Sequence, residues 1–145
     1  MGKVLEIGIS NNKGSKIVEV SEVEAIKGKG LSNDRNFREN NEKRHQITLI
    51  EIENINKFNE NTKKLIPALS FRRNIITQGI KLNFLVGKEF NIGDVKVKGH
   101  DLCKPCKYLQ ELLKEKNLIK NLLNIGGLRC EILSTGKIKV NDQIC

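Results

Sequence analysis

Cys103-Lys-Pro-Cys106 sets two thiols three positions apart. They lie where an alternating segment, Val95-Lys-Val-Lys98, gives way to a helical pattern with Leu109, Leu112 and Leu113 on one face. Thiols at that spacing support three chemistries. A zinc site needs about four ligands. Cys130, Cys145, His45 and His100 are available, but none makes a second close pair. A redox dithiol also stands between a strand and a helix, but the βαβ alternation and the preceding aromatic residue that accompany it are missing. In the third reading only one thiol acts. Pro105 suits the first turn of a helix, where its missing N–H costs nothing. Cys106 then falls in that turn, near free backbone amides and the positive end of the helix dipole. Lys104 and Lys107 add positive charge beside it. Such surroundings favour the thiolate, which is the nucleophile and the metal ligand. Cys106 is the candidate reactive thiolate. Cys103 is a core or accessory residue, since a lone cysteine is among the most readily buried side chains.

The second constellation is Arg72-Arg73-Asn74. Read as the opening of a strand over Phe71–Thr77, it sends Arg72 and Asn74 to one face and Arg73 to the other. An arginine at a barrel mouth needs an anion, and its guanidinium fork matches phosphate in bidentate fashion. A third candidate is the polar stretch from Leu31 to Arg44, read as a loop whose length invites a functional reason. Between Lys27 and Arg44 stand Lys27, Lys29, Arg35, Arg38, Lys43 and Arg44 against Asp34, Glu39 and Glu42. This loop, with Gly28 and Gly30 freeing its backbone, is an anion-facing candidate or else a solvated surface loop.

The elements that must position these groups are mostly short strands. Lys3 to Ser10 alternates, with Leu5, Ile7 and Ile9 on one side. A turn at Asn11-Asn-Lys-Gly14 returns the chain through Ile17 to Val20, and Val23 to Ile26 forms a third strand. Gln46 to Ile50 is a further strand. Ile52, Ile55 and Phe58 then mark a short amphipathic helix over Glu51–Asn59. Leu82, Phe84, Leu85 and Val86 read as core. Strands follow within Gly87–Gly93, at Val95–Leu102, at Leu128–Leu133 and at Ile138–Val140. A second helix is predicted from about Asn117, stopped by Gly126-Gly127. The pattern predicts a mainly β (α+β) fold: one domain over residues 1–145, a twisted β-barrel of short strands with a few peripheral helices.

Composition narrows the function. The chain has 145 residues, 38% of them hydrophobic, enough for a core without disulfides or metals. No apolar run approaches the ~20 residues that span a bilayer, and Met1 to Ile7 reads as a strand rather than a leader. The expectation is a cytoplasmic protein, off the membrane, with its 4 cysteines reduced. The formal net charge of +9 draws polyanions or phosphorylated small molecules. Nucleic acid is not favoured, because no Trp and only 1 Tyr are present to stack on bases.

Four matches, in order along the chain, resemble the MOSC domain, the family named for the C-terminal domain of molybdenum-cofactor sulfurases. Gly30-Leu-Ser-Asn-Asp-Arg-Asn36 is similar to its Gly-Leu-x-Gly-Asp-Arg-His loop. Gln46-Ile-Thr-Leu-Ile50 resembles its Gln-Val-Ser/Thr-Leu-Ile strand. Phe71-Arg-Arg-Asn-Ile75, Gly79-Ile-x-Leu82 and Gly87-x-x-Phe-x-Ile-Gly93 follow its central signature. Pro105-Cys106, Gly127-Leu-Arg129 and Asp142-x-Ile144 resemble its Pro-Cys site and last strands. Two positions depart from it: Asn33 stands for the loop glycine and Asn36 for its histidine. Asparagine tolerates left-handed backbone, so the turn is expected to survive, whereas the imidazole is lost.

The resemblance implies a barrel-rich fold and a molybdenum cofactor (molybdopterin), a phosphorylated pterin dithiolene. Pyridoxal phosphate is not expected in this domain. Cys106 matches the family cysteine that ligates molybdenum or is proposed to carry sulfur. Arg72 matches the arginine that meets the cofactor, and Asp34 and Arg35 match the loop acid and base. Asn74, Lys29 and Lys104 complete the expected anion-facing set. The implied activities are reduction of N-hydroxylated compounds, with an electron-donor protein, or sulfur transfer, with a sulfur-donor protein. The rival readings are a non-catalytic basic module for anionic partners and a CxxC thiol-redox or zinc protein.

Overall fold

Val4 and Ile7 are both fully buried in the main core, although a regular strand would turn residues three apart to opposite faces. The conflict is resolved by a bulge in β1 (Gly2–Ile9), where the register against its neighbour shifts between Val4 and Glu6. Leu5 therefore faces outward into a second apolar cluster, away from Ile7. The uniform alternation expected for this strand is corrected accordingly.

The computed structural model of the chain describes residues 2–104, 110–111, 114 and 124–145. The two helices expected around Leu109–Leu113 and from Asn117 lie outside the described residues. Among those described, the chain runs β1, β2 (Val18–Val20), β3 (Glu22–Ile26), β4 (Gly30–Leu31), β5 (Ile47–Glu51), α1 (Ile52–Thr62), β6 (Ile75–Gln78), β7 (Glu89–Ile92), β8 (Val95–Leu102), β9 (Leu128–Ile132), β10 (Gly136–Lys139) and β11 (Gln143–Ile144). Pairing in the order β11-β7-β8-β9-β5-β6-β1, with β11 returning to β1, closes a seven-stranded barrel. The β5–β6 pair is parallel and the other pairs are antiparallel. Closure is short: Gly2 and Lys3 face Ile144 and Gln143, and Val4 exchanges backbone bonds with Asn141 and Asp142.

A parallel pair needs a crossover, and α1 supplies it between β5 and β6. Leu49 and Ile75 point into the barrel, while Ile50 and Ile76 point out beneath the helix, with Ile55, Phe58 and Phe71. The Phe58 and Phe71 rings meet edge to face, 5.3 Å between centroids. A separate three-stranded sheet, β10-β3-β4, turns Val23, Ala25, Leu31 and Ile138 into the barrel core.

Two further expectations change. Leu82–Leu85 is a 3₁₀ turn, whose residues i and i+3 eclipse. Leu82 is buried and Leu85 packs against the core, while Phe84 is 72% exposed and Val86 41% exposed. The segment from Phe71 does not open as a strand. Ala68–Phe71 is a 3₁₀ turn closed by Arg72 in left-handed conformation (φ 65°), and β6 begins only at Ile75. Strand alternation therefore does not decide where Arg72, Arg73 and Asn74 point.

Candidate functional site

The stretch from Leu31 to Asn41 has little regular structure, yet it is tied down. Asn33 takes the left-handed conformation (φ 66°) that its side chain tolerates. The next residue, Asp34, is buried. Its Oδ1 accepts from the Ser10 backbone N–H at 3.0 Å and from Arg35 Nη1 at 3.1 Å, and its Oδ2 accepts from the Asn36 N–H at 3.3 Å. The Arg35 N–H in turn donates to the Ser10 carbonyl at 2.6 Å. The end of β1 and the loop are thus bonded in both directions through Ser10. Arg38 Nη1 donates to the carbonyls of Arg35 and Phe37, and the Arg38 N–H donates to the Lys29 carbonyl. Lys29 itself pairs with Glu39, at 2.6 Å. Asn11, Ser32, Asn33, Asp34, Arg35, Phe37 and Arg38 line an open recess of about 680 Å³.

Arg35, at this recess, lies close enough to Arg72 and Arg73 to feel their charges. Arg35 Nη2 donates to the Arg72 carbonyl at 2.9 Å, and Arg72 Nη1 donates to the Ser15 carbonyl at 2.8 Å. Arg73 Nε donates to the Gly126 carbonyl at 2.8 Å and its Nη1 to the Phe71 carbonyl at 3.2 Å. Burial makes Arg35 easier to deprotonate than a free arginine. Asp34 opposes that trend, while the like charges of Arg72 and Arg73 reinforce it. Arg35 thus has two like charges and one carboxylate close enough to act on it, a net positive, partly desolvated corner suited to an anion.

Asn74 plays a different part from the one strand alternation suggested. It is 1% exposed, and its amide is engaged within the protein. Nδ2 donates to the Gly8 carbonyl at 3.1 Å, while Oδ1 accepts from the Thr48 N–H at 3.1 Å and its hydroxyl at 3.2 Å. Asn74 therefore knits β1 and β5 to the start of β6 just where Arg72 and Arg73 leave the chain.

Cys106, the thiol on which the sequence reading centres, lies outside the described residues, and Lys104 is exposed at their edge. Cys103 is buried. Burial pushes its thiol pKa up, and the nearby guanidiniums of Arg73 and Arg129 only partly offset this. Cys130 sits in the barrel interior, and burial holds its pKa well above the usual thiol range. Both are neutral thiols at pH 7. No group of three His, Cys, Asp or Glu side chains that could hold a metal is found among the described residues.

Arg73, Arg129 and Asp101 are neighbours of Cys103; the sequence places Arg73 and Arg129 in motifs without linking either to that thiol, and does not mark Asp101. Asp101 and Arg129 face each other across β8 and β9. Arg129 Nε donates to Asp101 Oδ1 at 3.0 Å and its Nη2 bonds Oδ2, with Arg44 also near. The only sequence signal for the pair was opposite charge on adjacent strands, visible once the register is known.

Partial burial alone would push the Asp101 pKa up, but the Arg129 hydrogen bonds and charge bring it below the ordinary carboxylate value. A depressed folded pKa stabilises above the unfolded value of about 3.9 and loses that contribution as the pH falls through the folded value. The pair is about a third exposed, so screening keeps it near 1 kcal/mol or less. Asp101→Asn should therefore cost up to about 1 kcal/mol at pH 7. The difference from wild type should shrink as the pH falls below the unfolded value of about 3.9, which urea titrations at pH 7 and in acid would measure.

Comparison with known proteins bears on this arrangement. A family model described as "MOSC domain" matches residues 29–145. No curated protein matches the chain. Among solved structures, the YuaD protein from Bacillus subtilis superposes with a TM-score of 0.84 at 18% identity, covering 99% of this chain and 94% of that one. YiiM from Geobacillus stearothermophilus gives 0.77 at 16% identity, covering 99% and 74%. YiiM from Escherichia coli gives 0.74 at 16% identity, covering 99% and 68%. At these identities the structures speak for a shared fold. No helix among the described residues is long and apolar enough to cross a membrane.

Proposed function

The chain belongs to the MOSC domain family, and from that premise we propose that it binds the molybdenum cofactor, a phosphorylated pterin dithiolene, with Cys106 as metal ligand or sulfur carrier. The observation that carries this reading is Arg35, which lines an open recess, bonds Asp34 and feels the like charges of Arg72 and Arg73. A phosphate-bearing ligand fits that donor set, because guanidinium forks bind phosphate oxygens pairwise. In this reading Arg35 and Arg72 hold the phosphate. Asp34 fixes Arg35 by bonding its Nη1, and the Arg72 carbonyl fixes it by accepting from Nη2. Cys106 supplies a soft thiolate, suited to a sulfur-rich molybdenum centre. The cofactor, when bound, supplies the redox chemistry.

The test is metal analysis of the chain purified from cells with and without molybdenum-cofactor synthesis. Molybdenum should co-purify from the first only, and Arg72→Met should reduce its content by on the order of tenfold or more. Absence of molybdenum from both preparations would sink the proposal. Reduction of an N-hydroxylated compound by the loaded protein with a chemical reductant would identify a reductase. A persulfide on Cys106, found by mass spectrometry without such activity, would identify a sulfur carrier.

A further inference from the structure

Arg38 is the cation on the recess wall that the phosphate reading leaves unused. Its Nη1 is held by two carbonyls, those of Arg35 and Phe37, at 2.8 Å each. Its backbone N–H is held by the Lys29 carbonyl at 3.2 Å. The acids nearest it in sequence are engaged elsewhere, Asp34 with Arg35 and Glu39 with Lys29, and no carboxylate pairs with Arg38 among the described residues. Nε and Nη2 therefore make no bond among the described residues, and that edge of a guanidinium meets two phosphate oxygens side on. Arg35, also on the recess wall, gives one hydrogen from each Nη to Asp34 and to the Arg72 carbonyl, which leaves its Nε uncommitted. One recess thus carries two guanidiniums, each anchored to protein oxygens through part of its fork and open through the rest. A fork anchored in this way has already lost much of its rotamer freedom, so less ordering remains when an anion arrives. The recess volume of about 680 Å³ lies within the roughly 300–1,000 Å³ of small-molecule sites and is not limited to one phosphate.

We propose that Arg38 is a second anion-binding residue and that the recess takes a diphosphate ester, with one phosphate on Arg35 and the next on Arg38. The assignment deepens the phosphate reading of the recess and rests on it; it does not depend on molybdenum. Under that reading the cofactor is held as a pterin joined through a diphosphate to a second group. A single phosphate would satisfy Arg35 and leave the Arg38 fork in water. The fork matters beyond its charge, since a lysine ammonium is a point charge that cannot take two oxygens in one plane.

Calorimetric titration with inorganic phosphate and with pyrophosphate tests this, at about 0.15 M salt so that long-range charge is screened. Wild type should bind pyrophosphate about tenfold or more tighter than phosphate. Arg38 is exposed, so its variants keep the fold. Arg38→Met should lose about tenfold in pyrophosphate affinity and keep its phosphate affinity within about twofold, and Arg38→Lys should recover only part of that loss. Lys43→Met, which removes an exposed charge from outside the recess wall, should match the wild type. Equal affinity of the wild type for the two anions overturns the proposal. So does equal weakening of both by Arg38→Met, or full pyrophosphate affinity in either Arg38 variant. A second arm takes the mass of the small molecule released from molybdenum-loaded protein: a diphosphate ester supports the proposal and a monophosphate overturns it. A pyrophosphate preference in a protein that never takes up molybdenum sinks the functional reading and leaves the diphosphate site standing. A protein that binds neither anion overturns both.

Discussion

Cys106→Ser should abolish molybdenum loading and persulfide formation, a loss on the order of hundredfold or more. A serine hydroxyl does not ionise near neutral pH and is a hard oxygen donor, so it replaces neither a soft metal ligand nor a sulfur acceptor. Cys103→Ser should do much less. A serine is close in size to the thiol it replaces, and that thiol is buried and neutral. Cys145→Ser, at an exposed position, is the control and should change nothing. Molybdenum content and intact-mass analysis of the three variants give the comparison. Equal losses from Cys106→Ser and Cys103→Ser would point to a dithiol, and the single-thiolate mechanism would be wrong.

Asp34→Ala should be the most damaging change in the anion cluster, about 3–5 kcal/mol. It leaves the Arg35 guanidinium half-buried without its counter-charge, and the Ser10 and Asn36 N–H groups without an acceptor. For a chain of this size that corresponds to a drop in Tm on the order of 10 °C. Asp34→Asn keeps an acceptor for Ser10 and should cost roughly half as much. Thermal melts followed by circular dichroism measure both. An Asp34→Ala variant that melts within 2 °C or so of wild type would show that the loop is held by other contacts.

The strands were legible because one face of each is buried, which writes a period of two into the sequence. Residues 95–99 of β8 and the first four residues of β3 follow that rule closely. The bulge in β1 was not legible, because an extra residue reverses the alternation without leaving a glycine or proline as a marker. Arg72 failed for a related reason. A left-handed arginine is uncommon, and nothing in its side chain announces it. Once Arg72 turns the chain, both neighbouring arginines can serve the same corner of the barrel, one towards Ser15 and one towards Gly126. Phe84 misled because its composition says core while a 3₁₀ turn, with three residues per turn, carries it outward. The motifs were legible for a different reason: the Asn33 turn, the left-handed Arg72 corner and the close approach of Gly127 to the Leu49 carbonyl each depend on a particular backbone geometry.

The seam between β1 and β11 has a kinetic meaning. Residues 2–4 meet residues 141–144, so the last contacts to form join segments almost as far apart in sequence as this chain allows. Loop-closure entropy must be overcome before such a pairing returns any stabilisation, which slows folding. On a ribosome, β1 and β7 are made well before the strand that lies between them. Their edges stay open until residue 144 emerges, and an open edge is a template for pairing with another chain. Off-pathway association during synthesis should therefore occur at that seam, and a trapped dimer would be joined through β1 or β7.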